Sequence, residues 1–211
     1  MSLAHQPSMW DVAEEPARTA LPGRVTRHQL SGGAWVDHLP GWVEGSDQVL
    51  EVLLGDIGWR EDRRQMYDRE VAVPRLLRWY GGHETLPHPT LADARRDLND
   101  HYRAELGEDF LTAGMCLYRD GRDSVAWHGD RIGRSRTEDT MVAIVSFGSP
   151  RPLLLRPVEG GGGLRFPLGH GDLVVMGGSC QRTWEHCIPK TTKAVGPQGL
   201  GKVVSPGDDL G

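Results

Sequence analysis

From residue 110 onward the chain is a succession of short β-like runs cut by Gly, Pro and Asp turns, and few folds accept such a pattern. The runs fall at 111–118, 124–128, 141–147, 153–156, 163–166, 172–176 and 182–186. Asp120-Gly121, Gly148-Ser149-Pro150, the glycines at 160–163, Gly169 with Gly171, and Gly177-Gly178 separate them. Many short strands with frequent turns imply a sandwich or a barrel. Ahead of them the period changes. Ser46-Asp47 predicts the start of a helix carrying Val49, Leu50, Leu53 and Leu54, ended by Gly55. Residues 90–106 place Leu91, Ala94, Leu98, Tyr102 and Leu106 at helical spacing, with Thr90 as the cap and Gly107 as the stop. Between the helices, 63–67 and 75–80 predict two strands around a turn containing Pro74. Helices first and strands afterwards make the chain α+β.

The ends carry less pattern. Residues 1–27, with Pro7, Pro16 and Pro22, read as a mobile N-terminal arm, and 198–211 as a flexible Gly-rich tail, leaving 28–197 as one domain. The longest apolar stretch, 141–145, is far below the ~20 residues that cross a bilayer. Asp11, Glu14 and Glu15 stand where a secretory signal needs an apolar run. Three cysteines, Cys116, Cys180 and Cys187, are too few for a disulfide scaffold. The expectation is a cytoplasmic monomer with no membrane partner. The net charge is −5, and only Lys190, Lys193 and Lys202 among the 24 basic residues are lysines. An acidic chain binds nucleic acid only through a local basic surface. Arginine suits that task, because its planar fork holds phosphates and stacks on bases.

His128-Gly129-Asp130, paired with the later His186, carries the chemistry. On an extended segment residues i and i+2 project from one face, with Cα atoms ~6.6 Å apart. An imidazole and a carboxylate so placed, joined by a second imidazole, leave three adjacent positions open on an octahedral metal, as non-haem Fe(II) oxygenases require. His170-Gly171-Asp172 is a second copy of the motif, and spacing alone makes it equally compatible with His186. Its place before the run 172–176 favours a turn.

Resemblance separates the copies. The segment from Tyr118 through Trp127-His128-Gly129-Asp130 resembles the metal-site segment of AlkB-type dioxygenases. Val145-Ser146-Phe147-Gly148, Gly169-His170-Gly171-Asp172-Leu173 and Arg182-Thr183-Trp184-Glu185-His186 follow in the family's order. Val73-Pro74-Arg75-Leu76 with Trp79-Tyr80-Gly81 resembles its nucleotide-lid region, so the likeness spans roughly Arg60 to Pro197. The resemblance implies a double-stranded β-helix, or jelly roll, behind an N-terminal helical and lid region. It implies His128, Asp130 and His186 as iron ligands and Tyr118 as a contact to the distal carboxylate of 2-oxoglutarate. The implied cofactors are Fe(II), 2-oxoglutarate and O2. The implied reaction is oxidative N-demethylation of alkylated bases in single- or double-stranded DNA, or RNA, as DNA repair, with release of formaldehyde.

Two residues depart from the family. Gly196-Pro197-Gln198 stands where it has Gly-Pro-Arg, whose arginine pairs with the oxo-acid carboxylate, and no arginine follows Arg182; Cys116 replaces an asparagine. The expectation is a C-terminus that diverges abruptly, as by a frameshift, and lacks one strand. The alternative function is then a catalytically impaired nucleic-acid-binding protein, with Lys190, Lys193 and Lys202 the only cations left downstream. For the substrate, Arg60, Arg63, Arg64, Arg69, Arg75 and Arg78 interleave with Tyr67, Trp79 and Tyr80, partly offset by Glu61, Asp62, Asp68 and Glu70. Tyr67, Arg75, Trp79 and Tyr80 are the expected contacts to a base held out of its stack. Arg131, Arg134 and Arg136 form a second candidate phosphate contact.

Overall fold

Leu173, Val174, Val175 and Met176 are apolar without alternation, as a strand covered on both faces must be. In the computed structural model, which describes residues 16–66, 69–130 and 133–204, the two faces meet different partners. Leu173 and Val175 join a cluster with Leu98, Tyr102 and Phe147. Val174 and Met176 join another with Leu153, Leu155 and Trp184. The molecule therefore has two cores, divided by one sheet.

The elements run β1 (Ala17–Arg18), β2 (Thr26–Gln29), β3 (Ala34–Leu39), β4 (Val43–Glu44), α1 (Asp47–Leu54), β5 (Arg60–Met66), β6 (Arg69–Tyr80) and α2 (Pro89–Leu106). There follow β7 (Thr112–Tyr118), β8 (Val125–His128), β9 (Val142–Gly148), β10 (Arg151–Pro157), β11 (Leu164–Leu168), β12 (Leu173–Gly178), α3 (Cys180–Thr183), β13 (Trp184–Ile188) and β14 (Gln198–Val204). A large sheet has the order β2-β3-β12-β9-β14-β7-β6-β5 and a smaller one β11-β10-β13-β8. Side chains from both sheets form the inner core, giving the jelly roll; α1 and α2 supply the outer core against the large sheet. Among the described residues no helix is long and apolar enough to cross a membrane.

The helices start and stop for local reasons. Pro89 opens α2, and the cap is His88, not Thr90: His88 Nδ1 accepts the Thr90 N–H at 3.2 Å. Gly107, at φ 80°, ends the helix in the left-handed region. Pro74 lies inside β6 rather than in a turn. It is tolerated because β6 pairs with β7 only from Leu76 on, and its register with β5 shifts between Glu61 and Arg63, so its missing N–H breaks no rung.

Both terminal expectations need correction. Residues 16–27 are docked: β1 pairs with β4, Leu21 is buried in the outer core, and Arg18 pairs with Asp97 of α2. The flexible tail does not begin at 198. Gln198–Val204 is a full strand, paired along its length with β7 on one side and β9 on the other, so a strand stands where the sequence pattern dissolves. Its glycines hid it from a hydrophobic pattern, yet one of them is what its packing requires. A Cβ on Gly199 would lie 2.9 Å from Leu53 of α1. Because β14 sits between two strands, removing residues 198–211 is expected to abolish the cooperative thermal transition seen by circular dichroism. A truncated chain that melts like the full one would contradict this placement.

Candidate metal centre

His128 ends β8 and His186 lies in the middle of β13, and the antiparallel register sets them directly opposite each other. Their ring centroids are 4.3 Å apart. Asp130 follows two residues beyond His128, and each histidine Nε2 stands 3.7 Å from one of its carboxylate oxygens. One ligand atom from each of the three lies within 4.8 Å of the others, a spacing a single ion can bridge. The support is local. Gln181 Oε1, from α3, accepts the Asp130 N–H at 3.0 Å, and the Ser135 hydroxyl donates to the Asp130 carbonyl.

The protonation states suit a metal. His128 Nδ1 lies 2.8 Å from the Ala126 carbonyl, which can only accept, so the ring proton sits there and Nε2 offers its lone pair toward Asp130. Burial, reinforced by His128, pushes His186 down to about 3, and burial also lowers His128. Both rings are therefore neutral at physiological pH. Burial alone would raise Asp130; the Lys202 ammonium reverses this and holds it ionised. Lys202, on β14, places Nζ 2.6 Å from Asp130 Oδ2, a buried ion pair that fixes the carboxylate in its charged form. Two neutral imidazoles and one ionised carboxylate, with ligand atoms within 4.8 Å of one another, fit Fe(II).

The second copy of the motif is used up in a turn. His170 Nδ1 accepts the Gly148 N–H at 2.8 Å, so its Nε2–H donates to Ser46 Oγ at 2.6 Å, leaving neither nitrogen for a metal. Asp172 accepts the backbone N–H groups of Gly41 and Gly169.

Tyr118, buried at the end of β7, faces the inner core. Burial raises its phenol, with Arg75 and Arg151 acting against the rise. Among the expected base contacts, period two in β6 decides the outcome. Trp79 pairs opposite Gly114 and packs against the inner core, with its ring where a Cβ on Gly114 would be, 2.9 Å away. Arg75, an even number of residues before it, lies on that same face; its Nη1 donates to the Ser124 carbonyl at 3.3 Å, and its Nε is buried without a partner. Tyr80 turns the other way. It is 5% exposed, belongs to the outer-core cluster, and has the Arg78 guanidinium 4.5 Å from its ring centre, on the face of the sheet away from the metal cluster. Tyr67 and Arg131 lie outside the described residues. What sequence reasoning missed here is Arg151 and the reach of Lys202; neither stands in a motif.

The family profile of the 2OG-Fe(II) oxygenase superfamily matches residues 39–205. The chain belongs to that superfamily, whose members use Fe(II), 2-oxoglutarate and O2. Within it the chain is AlkB-type. It is 32% identical to human alpha-ketoglutarate-dependent dioxygenase alkB homolog 3, over 72% of this chain and 59% of that protein. It is 28% identical to human DNA oxidative demethylase ALKBH2, over 64% of this chain and 58% of that one. The chain thus spans less than two thirds of these relatives' length. A prolyl hydroxylase from Trichoplax adhaerens, solved with a hypoxia inducible factor peptide, shares the fold at TM-score 0.56 and 11% identity, over 75% of this chain and 74% of that one.

The lowered histidines set a pH dependence. His186 titrates near 6.5 when unfolded and about 3 when folded, so the unfolded chain binds the extra proton between those values. Its contribution to stability is complete above 6.5 and lost as pH falls toward 3. Without metal, the melting temperature is expected to drop steadily from pH 6.5 to 4, and His186→Gln to flatten that slope. Parallel slopes for the two proteins would show that His186 is not the titrating group.

Proposed function

We propose that the chain is an Fe(II)- and 2-oxoglutarate-dependent dioxygenase that removes N-methyl groups from alkylated bases in DNA or RNA, as a repair enzyme. The observation that carries this reading is the His128–Asp130–His186 cluster between the sheets of an AlkB-type jelly roll. The names of the human relatives, a dioxygenase and a DNA oxidative demethylase, support the reaction class.

The roles follow from the surroundings. His128, Asp130 and His186 hold the metal, and their neutral rings and single carboxylate leave net positive charge on a bound Fe(II) to draw in an oxo acid. The bound metal, with 2-oxoglutarate and O2, supplies the oxidation that converts an N-methyl into an N-hydroxymethyl group, which leaves as formaldehyde. Lys202 neutralises Asp130 where the dielectric is low. Tyr118 receives the distal carboxylate of the oxo acid. Arg75 and Trp79, on the face of β6 turned to the inner core, meet the substrate: the guanidinium a phosphate, the indole a base taken out of its stack. The β5–β6 hairpin then acts as the nucleotide lid, and alkylated DNA or RNA is the partner. Free Cys116, with Cys180 and Cys187 free and buried, supports a reducing cytoplasm, where the chain works as a monomer.

With Fe(II) and 2-oxoglutarate, an N-methylated oligonucleotide is expected to release formaldehyde, and Asp130→Ala to lower the rate about 100-fold or more. An active chain that tolerates Asp130→Ala would remove the metal from the mechanism. Trp79→Ala is expected to weaken oligonucleotide binding about tenfold, and Tyr80→Phe to leave it unchanged, measured by fluorescence anisotropy.

A further inference from the structure

Gln198 begins β14 directly opposite Tyr118 of β7, at the position where the family resemblance puts an arginine for the oxo acid. It is fully buried and uncharged; its Nε2 donates to the Leu168 carbonyl at 3.2 Å, and its Oε1 has no partner. A carboxylate drawn into this interior needs a counter-charge, because an unpaired buried charge is strongly unfavourable. Gln198 cannot provide one.

Arg151 can. It opens β10 in the smaller sheet, on the same face as Leu153 and Leu155, which belong to the inner core with Tyr118. It pairs with Leu168, the residue whose carbonyl holds Gln198, so Arg151 and Gln198 meet at one end of the sandwich from opposite sheets. The guanidinium carbon lies 5.5 Å from the centre of the Tyr118 ring. Arg151 is 2% exposed, and an arginine cannot shed its proton. Its Nη1 and Nη2 donate to the carbonyls of Asp120, Asp123 and Pro189, yet its Nε–H is buried without an acceptor. Among the described residues no carboxylate forms an ion pair with it. Of the other cations facing the inner core, both more exposed than Arg151, Lys202 is already committed to Asp130 and Arg75 donates to the Ser124 carbonyl. A permanent, enclosed positive charge with an idle donor beside Tyr118 marks the seat of an anion.

We propose that Arg151, from β10 of the smaller sheet, is the residue that binds the distal carboxylate of the 2-oxo acid in this chain, in place of an arginine on β14. The inference rests on the oxo-acid reading above and changes which sheet supplies the charge.

The test is anaerobic calorimetry on the full chain loaded with Mn(II), which does not turn over. Each protein is titrated with 2-oxoglutarate and with 2-oxobutyrate, which keeps the metal-chelating end and lacks the distal carboxylate. The wild type is expected to favour 2-oxoglutarate. Arg151→Gln is expected to weaken 2-oxoglutarate about 10- to 100-fold, leaving 2-oxobutyrate and Mn(II) affinity unchanged, and adding Gln198→Arg to it should restore the preference. Arg151→Lys, which keeps the charge and loses the fork, should show a few-fold loss for 2-oxoglutarate alone and serves if the glutamine variant does not fold. Equal weakening of both acids would reduce Arg151 to a staple of the 120–123 loop and overturn the proposal. So would an unchanged preference, or a preference lost on Arg75→Gln or Lys202→Met instead. A wild-type chain that binds neither Mn(II) nor either acid would defeat the metal-centre reading itself, a result distinct from these.

Discussion

One rung of one antiparallel ladder, His128 against His186, holds the site together. Everything chemical in the molecule is arranged around it. The register places two imidazoles side by side, their rings tilted at 47°, and the two-residue step to Asp130 brings a carboxylate within 3.7 Å of both. Shifting either strand by one residue would turn its histidine to the other face. The bulge between His186 and Ile188 lies just past this rung, leaving the pairing of the histidines intact.

The larger sheet serves that rung from the opposite side. Its central strand β14 carries Gln198, Leu200, Lys202 and Val204 at alternate positions toward the inner core, so one strand contributes an amide, a cation and two apolar contacts to the same interior. The interior is therefore not uniformly oily. At the metal end Lys202 offsets Asp130; at the far end Arg151 and Tyr118 present donors, with only main-chain carbonyls as acceptors. An interior that carries such donors is poorly suited to an apolar ligand and well suited to an anion.

Much of this could be read beforehand, and the misses have physical causes. The short strands after residue 110 were legible because turns and apolar runs are local. Both helices were legible for the same reason, down to Gly55 and Gly107. The N-cap of α2 moved to His88 because an imidazole nitrogen can accept an N–H as a serine oxygen does. Strand β14 was invisible because its identity lies in its neighbours: Gly199 packs against Leu53 of α1, where a larger side chain would collide. Tyr80 parts from Trp79 because aromatic residues in a strand alternate between faces, and the sequence does not say which face lies toward the metal cluster.

What the sequence by itself determined is the donor set and the order of elements: His-x-Asp on an extended segment, a distant histidine, and a β-rich body behind two helices. Only the tertiary structure decided which copy of the motif keeps free nitrogens, that the last strand closes the sheet, and that Arg151 stands beside Tyr118. The physical reason is that spacing along a strand follows from covalent geometry, whereas the partner across a sheet, or across the gap between two sheets, follows from contacts among residues remote in the chain.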